Sequence, residues 1–497
     1  MAKKTAIIIL HGIGEQVPMQ TIKGFVETVW STDATLVRPG KPDPDTGSTT
    51  REENASWVKP DPRTRSFELN RITTEETIGG GRLDFFEYYW AHRVTGTTWA
   101  QVRTWLLGLL WRNPRTRVPK ALLPTWMLLW VLTLLIAGAA IAFGLDLLNL
   151  GPAEPGLWSK IAIAIGSLIA SAVIAVMVSH VGDVVRYVQA KPENIAIRQD
   201  IRENGVRLLE NLMGRQEDGS WGKSDYSRIV VVGHSLGSIA GYDILSHAFA
   251  RLEKDVLGKV DKETRQPKRA ALEEHIRTGL AGNGGPGWKD RYRELQQEVF
   301  DEARATGGKW IVSDFVTLGS PLTHAEFLMA RDCKSLERAK AMRELPCCPP
   351  VLEHDEKTTG AHRHFTFRPP DFDALGNASD AEAPRRPHHA AVFAYTRWTN
   401  IYSPHMAVVA GDLVSGAVGG AFGQTDAGGQ SLSGIEDIPV LPCAKDAGPD
   451  LTSEDTRPRL FTHLLYWNRS VAADTKSKVQ PFHIRVLRVA LDLGRKV

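Results

Sequence analysis

Cysteine is scarce, at four in 497 residues, and Cys347 stands next to Cys348. That usage excludes a disulfide framework and suits a reducing compartment. An excess of either charge is also missing, since sixty Lys and Arg face fifty-seven Asp and Glu for a net charge of +3. With no basic tract interleaved with aromatics, nucleic acid is not an expected partner. No internal repeat is visible. Only five consecutive apolar residues, Ala6 to Leu10, stand ahead of His11 and Gly12, too few for a signal-peptide core, and export by that route is not expected. What remains is the composition of a folded chain, 42% hydrophobic and 24% charged, neither disordered nor collagen-like. At ~150 residues per domain the length would hold about three domains, but large α/β domains with insertions use this much chain as one. One elaborated domain is the expectation.

Hydropathy is unevenly distributed. Residues 121–145 contain no charged side chain before Asp146, and a bilayer core needs about 20 helical residues at ~1.5 Å each. Residues 161–182 repeat the pattern with His180 as the only titratable group, and the short connector carries Gly151, Pro152, Pro155 and Gly156. Together they predict a transmembrane helical hairpin; a pair of buried core helices is the alternative. Arg103, Arg112, Arg115, Arg117 and Lys120 precede the first span and Arg186, Lys191 and Arg198 follow the second, whereas the connector offers only Lys160. Both ends are therefore expected on the cytoplasmic side. Six of the fourteen Trp fall between Trp90 and Trp130, and Trp99, Val102, Leu106, Leu109 and Leu110 lie near helical spacing. That pattern fits an interfacial helix leading into the hairpin, or equally an amphipathic helix packed on a core. The expected organisation is a core split into 1–98 and 191–497 by an inserted membrane region, 99–190. The chain would be an integral membrane protein with two spans, its bilayer a partner and its soluble part cytoplasmic, at the inner or plasma membrane if bacterial.

Outside that region strands and helices alternate. Strands are predicted at 6–10, 82–90, 229–232, 310–318 and 397–402, with a final one at 481–493, and helices at 192–213 and 238–250. Apolar runs separated by helices imply an α/β fold, a mostly parallel sheet with helices on both faces. Residues 38–65, 253–305 and 333–389 show no apolar periodicity and are expected to be surface insertions or lids.

The chemistry concentrates after the strand at 229–232, where Val230-Val231-Val232 runs into Gly233-His234-Ser235-Leu236-Gly237 and then a helix. A G-x-S-x-G pentapeptide is common by chance, but a strand before it and a helix after it give it meaning. A serine held on a strained turn needs glycine neighbours, and the helix that follows aims backbone N–H groups and its dipole at the site. Upstream, the first strand ends in a second glycine turn, His11-Gly12-Ile13-Gly14.

In these motifs the chain resembles the α/β-hydrolase family, in its lipase and esterase branches with the Gly-His-Ser-Leu-Gly elbow. The resemblance covers the scattered core strands, not the hairpin or the insertions. It implies that Ser235 is a nucleophile and that Ile13 and Leu236 give their backbone N–H groups to an oxyanion hole. Removal of a single such donor typically costs ~10²–10³ in rate. Thr317-Leu318-Gly319-Ser320-Pro321-Leu322 looks like the Gly-Ser/Thr-Pro turn that follows the next strand in many lipases. The family order of serine, acid, histidine points to Asp412, the first carboxylate beyond the strand at 397–402, and to His463 in Thr462-His463-Leu464-Leu465-Tyr466-Trp467. A His followed by Tyr-Trp is similar to that of membrane-associated bacterial hydrolases of this type. Asp314 is the alternative acid, with Asp426 and Asp437 behind it. His405 precedes Asp412 and breaks the order, and His483 would alternate within the final strand.

Cys333, Cys347, Cys348, His354, His362, His364, His388 and His389 gather in one insertion without the paired C-x-x-C spacing that structural zinc usually shows. No metal and no other cofactor is expected. A hydrolase inserted around a membrane hairpin meets lipid esters first, so the expected substrate is a carboxylic ester of a lipid or lipid-like molecule. A thioesterase or peptide hydrolase would use the same three side chains, and a non-catalytic membrane scaffold built on the same fold is the alternative from outside enzymology.

Overall fold

The apolar run after Lys4 becomes strand β1 (Lys4–Leu10), whose Ile7 and Ile9 pack on one face while Ala6, Ile8 and Leu10 pack on the other. Alternation with apolar residues on both sides places a strand between two layers. The computed structural model describes residues 4–12, 17–61, 63–64, 68–93, scattered positions between 108 and 141, 187–188, 192–258, 264–354, 363–368, 384–405, 411–442, 462–468 and 481–496.

Seven further strands join β1: β2 (Ser56–Pro60), β3 (Asn70–Thr74), β4 (Leu83–Tyr88), β5 (Tyr226–His234), β6 (Val312–Leu318), β7 (Arg397–Tyr402) and β8 (Glu436–Pro439). Their order across the sheet is β8-β7-β6-β5-β1-β4-β3-β2. The pairs from β8 to β4 are all parallel, and β3 runs antiparallel to both β4 and β2. The fold is thus α/β, with a mostly parallel sheet built from both ends of the chain. Helices α2 (Pro192–Met213), α3 (Leu236–Leu252), α4 (Pro267–Thr278) and α5 (Trp288–Ala305) cover one face. The other face is covered by α1 (Gln20–Val26) and α7 (Phe482–Leu491). Strand β1 lies between β5 and β4, so the strand order reverses there. In open parallel sheets such a reversal opens a crevice at the carboxyl ends of the strands.

Several expectations are corrected. The predicted strand at 481–493 is instead helix α7, Phe482–Leu491. Phe482, Ile484 and Val486 alternate like a strand, but Ile484, Leu487 and Leu491 share one helical face and are buried, while Val489 is exposed. Segment 38–65 is no mere surface insertion, because it supplies edge strand β2, with Pro60 at the end of that strand where a missing N–H costs little. Segment 253–305 is not a lid either: Trp288, Tyr292, Leu295, Val299 and Ala303 of α5 are buried at helical spacing in the main core. From segment 333–389, α6 (Cys333–Ala341) contributes Leu336 to that core, together with Cys348, Leu352 and Phe365.

Among the described residues no helix is long and apolar enough to cross a membrane. The predicted span 161–182 lies wholly outside the described residues and 121–145 largely so, as do the Trp99 stretch and the connector. The positions described between 123 and 141 are helical, and Met127, Val131, Leu134 and Ile141 are exposed.

Candidate active site

Strand β5 delivers Ser235 to the carboxyl edge of the sheet, and α3 starts one residue later. Ser235 itself takes φ 53° and ψ −129°, a positive φ that a residue with a Cβ adopts only under strain. The glycines around it leave no room for side chains. A Cβ on Gly237 would stand 2.3 Å from the carbonyl oxygen of Leu10, and one on Gly233 would stand 2.6 Å from Ser238 Cα. A Cβ on Gly12 would stand 2.8 Å from that of Ser235, so the two glycine turns face each other at the β1–β5 crevice.

Three side chains predicted from widely separated sequence meet there. His463 Nε2 is 2.8 Å from Ser235 Oγ, and His463 Nδ1 is 2.9 Å from Asp412 Oδ2. A carboxylate accepting at Nδ1 fixes the proton on that nitrogen and leaves Nε2 free to accept from the serine hydroxyl. Ser235 and Asp412 are buried, while the His463 side chain keeps 20% of its surface exposed.

Asp412 is held on both oxygens. Oδ1 accepts the Val414 N–H at 2.9 Å, and Oδ2 accepts the Tyr466 hydroxyl at 2.7 Å besides the imidazole. Burial pushes the carboxyl up, but the hydrogen bonds from His463, Tyr466 and Ser415 outweigh it and bring the pKa down to about 2. The Tyr466 hydroxyl is in turn oriented by the Ser403 N–H at 2.9 Å and by Ser415 Oγ at 2.9 Å. Thr462 Oγ1 donates to Ser403 Oγ at 3.0 Å, which ties the histidine segment to the end of β7. Buried polar groups that are all satisfied hold one geometry firmly.

His234, inside the elbow, also serves this arrangement. Burial lowers its pKa to about 3, so the ring is neutral, and its Nε2–H donates to the His463 carbonyl at 2.9 Å. Its ring meets the edge of Trp467 with centroids 4.8 Å apart. Gly319, in the predicted Gly-Ser-Pro turn, has φ 58°, and a Cβ there would lie 2.6 Å from the Tyr466 ring and 3.2 Å from both Asp412 Oδ2 and His463 Nδ1. The Tyr-Trp pair and the turn were visible in the sequence, but their support of the acid and base was not. That role depends on contacts between residues about 50 to 230 positions apart.

Of the two expected oxyanion donors, Leu236 is buried as the first residue of α3, a position whose N–H has no acceptor within its own helix. Ile13 lies outside the described residues; its neighbour Gly12 borders Ser235 as described.

The alternative acids have other partners. Asp314 sits near the start of β6, at the opposite edge of the sheet from Gly319, and pairs with Arg228 and Arg397, both at 2.7 Å. Asp437 accepts from Asn400 Nδ2 and the N–H groups of Val418 and Gly419, and Asp426 closes a turn with Gln430. His483 is on α7 and donates to the Asn468 carbonyl.

In the histidine- and cysteine-rich insertion, His364 binds Glu273, and His388 and His389 donate to the carbonyls of Val351 and Arg343. Cys347 and Cys348 are buried thiols pushed up to about 12 by burial. No group of three possible metal ligands occurs among the described residues; His362 lies outside them.

A cavity of about 900 Å³ is walled in part by Glu87, Tyr89, His92 and Arg93 and does not include Ser235, Asp412 or His463. Chemically, a serine hydroxyl bonded to an imidazole that is itself bonded to a carboxylate is an arrangement that can give up its proton during attack and return it to a leaving group.

No protein-family model, curated protein or solved structure matches the chain.

Proposed function

We propose that the chain is a serine hydrolase of the α/β-hydrolase type, held at a membrane by its inserted region, that cleaves the carboxylic ester of a lipid or lipid-like molecule. The observation that carries this reading is the unbroken hydrogen-bonded series from Ser235 Oγ through His463 to Asp412. In the proposed cycle Ser235 attacks the ester carbonyl while His463 Nε2 takes its proton, and Asp412 keeps the imidazole in the required tautomer and stabilises its charged form. The tetrahedral oxyanion draws on the N–H groups of Leu236 and Ile13. His463 then protonates the departing alkoxide, and water releases the acid from the acyl-enzyme by the reverse proton path. No cofactor enters the cycle.

Placement favours an apolar ester. Leu464, next to His463, is 71% exposed, and Val17, in the segment that follows the Gly12 turn, is 61% exposed. The root of the inserted region packs close by: the Arg112 guanidinium lies 4.1 Å over the Phe327 ring, and the adjoining turn is tied by Thr323 to the Ala417 carbonyl beyond Asp412. In the inserted region Trp111, Met127, Val131, Leu134 and Ile141 are each exposed, apolar side chains that suit lipid better than water. We place the hydrolase body on the cytoplasmic side, with two spans in the inserted region, from the flanking cations.

The test is a panel of acyl esters of increasing chain length, with thioesters and peptides alongside, assayed on purified protein in mixed micelles. Ester hydrolysis that rises with chain length and disappears in Ser235→Ala supports the reading; turnover unchanged in that variant removes it.

A further inference from the structure

Helices α2 and α3 run in the same direction. Arg202 of α2 donates to Asp243 Oδ2 of α3 from Nε at 3.0 Å and from Nη2 at 2.6 Å, and further along Glu210 meets Arg251 at 3.3 Å. A Cβ on Gly205 would stand 2.2 Å from Ile244 Cδ1, so the two helices touch closely there. Outside that contact lies a groove of about 390 Å³. Ile195, Arg198, Arg202 and Val206 line it from α2 at spacings of three and four, which is one face of a helix, and His247 and Arg251 line it from α3.

The groove is cationic, and its charges are unequally answered. Arg202 is committed to Asp243, and Arg251 to Glu203 and Glu210. Glu203, the one carboxylate among the described lining residues, also takes Arg207 Nε at 3.0 Å. Arg198 is left over. Its half-buried guanidinium makes no ion pair among the described residues, and its Nε is buried without a hydrogen-bond partner. Burial and the Arg202 cation beside it pull its pKa below the usual arginine range. A guanidinium held among like charges with a donor unanswered is stabilised by an anion from outside, and its planar fork matches phosphate oxygens.

The groove also sits where the inserted region rejoins the body. Tyr187, 1% exposed, donates its hydroxyl to the same Asp243 Oδ2 at 2.9 Å. It stands five residues past 182, where the second expected span ends, and five residues reach at most ~18 Å. Ile195, near the start of α2, is 51% exposed. Because α3 begins directly after Ser235 and α2 runs parallel to it, the Ile195 end of the groove and Ser235 share the carboxyl edge of the sheet. An exposed apolar side chain beside a cationic wall suits a phosphate that carries hydrocarbon chains better than a free anion.

Building on the reading that the inserted region spans a membrane, we propose that this groove binds the phosphate of an anionic lipid headgroup, with Arg198 as its main donor and Arg202, His247 and Arg251 around it. Basic pockets on the cytoplasmic side of membrane segments take such headgroups, and the hydrogen bonds are charge-assisted. A lipid bound there fixes the body against the bilayer with the Ser235 edge turned toward it.

The test measures binding of an ether-linked phosphatidylglycerol, fluorescently tagged on an alkyl chain, to the full chain in neutral detergent. Unlabelled ether-linked phosphatidylglycerol, ether-linked phosphatidylcholine and inorganic phosphate are the competitors, and the ether linkage keeps an esterase from consuming the ligand. Phosphatidylglycerol is expected to compete at least about tenfold better than either of the others, and Arg198→Ala to raise its Kd about tenfold or more. Arg198→Gln, which keeps most of the stem, is expected to do the same and carries the test if Arg198→Ala does not fold. Arg291→Ala, which removes an exposed cation of α5 away from the groove, should stay within about twofold of the native chain. Equal competition by the two lipids, or native affinity in a folded Arg198 variant, overturns the proposal. Inorganic phosphate competing as well as phosphatidylglycerol assigns the groove to a free anion and overturns the lipid. Release of the native chain from its membranes by alkaline carbonate strikes the membrane reading itself, separately from the competition results.

Discussion

Replacing Asp412 by Asn tests the acid with the least change of shape. In the native site the donors that converge on the carboxylate include Val414 N–H on Oδ1, and Tyr466 O–H and His463 Nδ1–H on Oδ2. An Asn amide nitrogen must occupy one of those positions. Placed at Oδ1 it opposes the Val414 N–H and leaves a buried donor unpaired, at about 1–3 kcal/mol. Placed at Oδ2 it faces Tyr466, whose hydroxyl can turn toward Ser415, and His463, whose ring can shift its proton from Nδ1 to Nε2. The second placement strands no backbone donor and should win. It leaves an N–H pointing at Ser235 where an acceptor is needed, so the general base is lost while the site stays assembled. The expected fall in kcat is ~10³–10⁴-fold, the scale known for such a tautomer error, with melting temperature changed by only a few degrees. Pre-steady-state hydrolysis of a chromogenic ester measures it, since the acylation burst should vanish together with turnover. Retention of more than about a tenth of native kcat, well above the scale a wrong tautomer leaves, would refute the assignment of Asp412 and of the tautomer.

Further outcomes follow from the surrounding contacts. Tyr466→Phe removes one hydrogen bond to the Asp412 carboxylate, a contact to a charged group worth ~1.5–3 kcal/mol. Because the folded carboxyl sits at about 2, below its ordinary value of 3.8, its stabilisation is present above pH ~4 and is lost as pH falls toward 2. The melting-temperature gap between the native chain and the Tyr466→Phe variant should therefore be wide at pH 6 and narrow only as pH falls to about 2 and below; an equal gap at pH 6 and pH 2 contradicts the role given to Tyr466. Gly319→Ala forces a methyl group at positive φ into the Tyr466 ring, and the adduct-forming rate of Ser235 should fall at least as steeply as stability; a stable, fully active variant contradicts the packing. Asp314→Asn leaves Arg228 buried without its charge partner, expected to cost ~3–5 kcal/mol. Arg228 also donates to the carbonyls of Leu491 and Asp492 at the end of α7. Thermal unfolding should show that loss while kcat per titrated site is kept, the reverse of Asp412→Asn.

How far the sequence led differs from element to element. Strands with apolar side chains on both faces, such as β1 and β5, are plain from composition because burial on two sides leaves an uninterrupted apolar run within each, Ala6 to Leu10 and Ile229 to Val232. The elbow at Ser235 was equally plain, since glycine on both sides of a serine between strand and helix has a steric cause now visible at Gly233 and Gly237. Strand β8, Glu-Asp-Ile-Pro, is half-buried at the sheet edge and has no apolar alternation to read. Strand β2 has the same weakness, with Val58, Lys59 and Pro60 exposed. Helix α7 reads as a strand over its first five residues because local alternation and tertiary docking disagree, and docking on the sheet face prevails. In the site, family order along the chain led to Asp412 and His463, whereas Tyr466 OH and His234 touch them through contacts that only the folded chain assembles.

The central claim is that Ser235 is a nucleophile activated by His463. A fluorophosphonate probe on the purified chain, followed by peptide mapping by mass spectrometry, measures that directly. The account predicts one adduct, on Ser235, formed at a rate that collapses in His463→Ala. No adduct, an adduct on another residue, or an unchanged rate in that variant would contradict it.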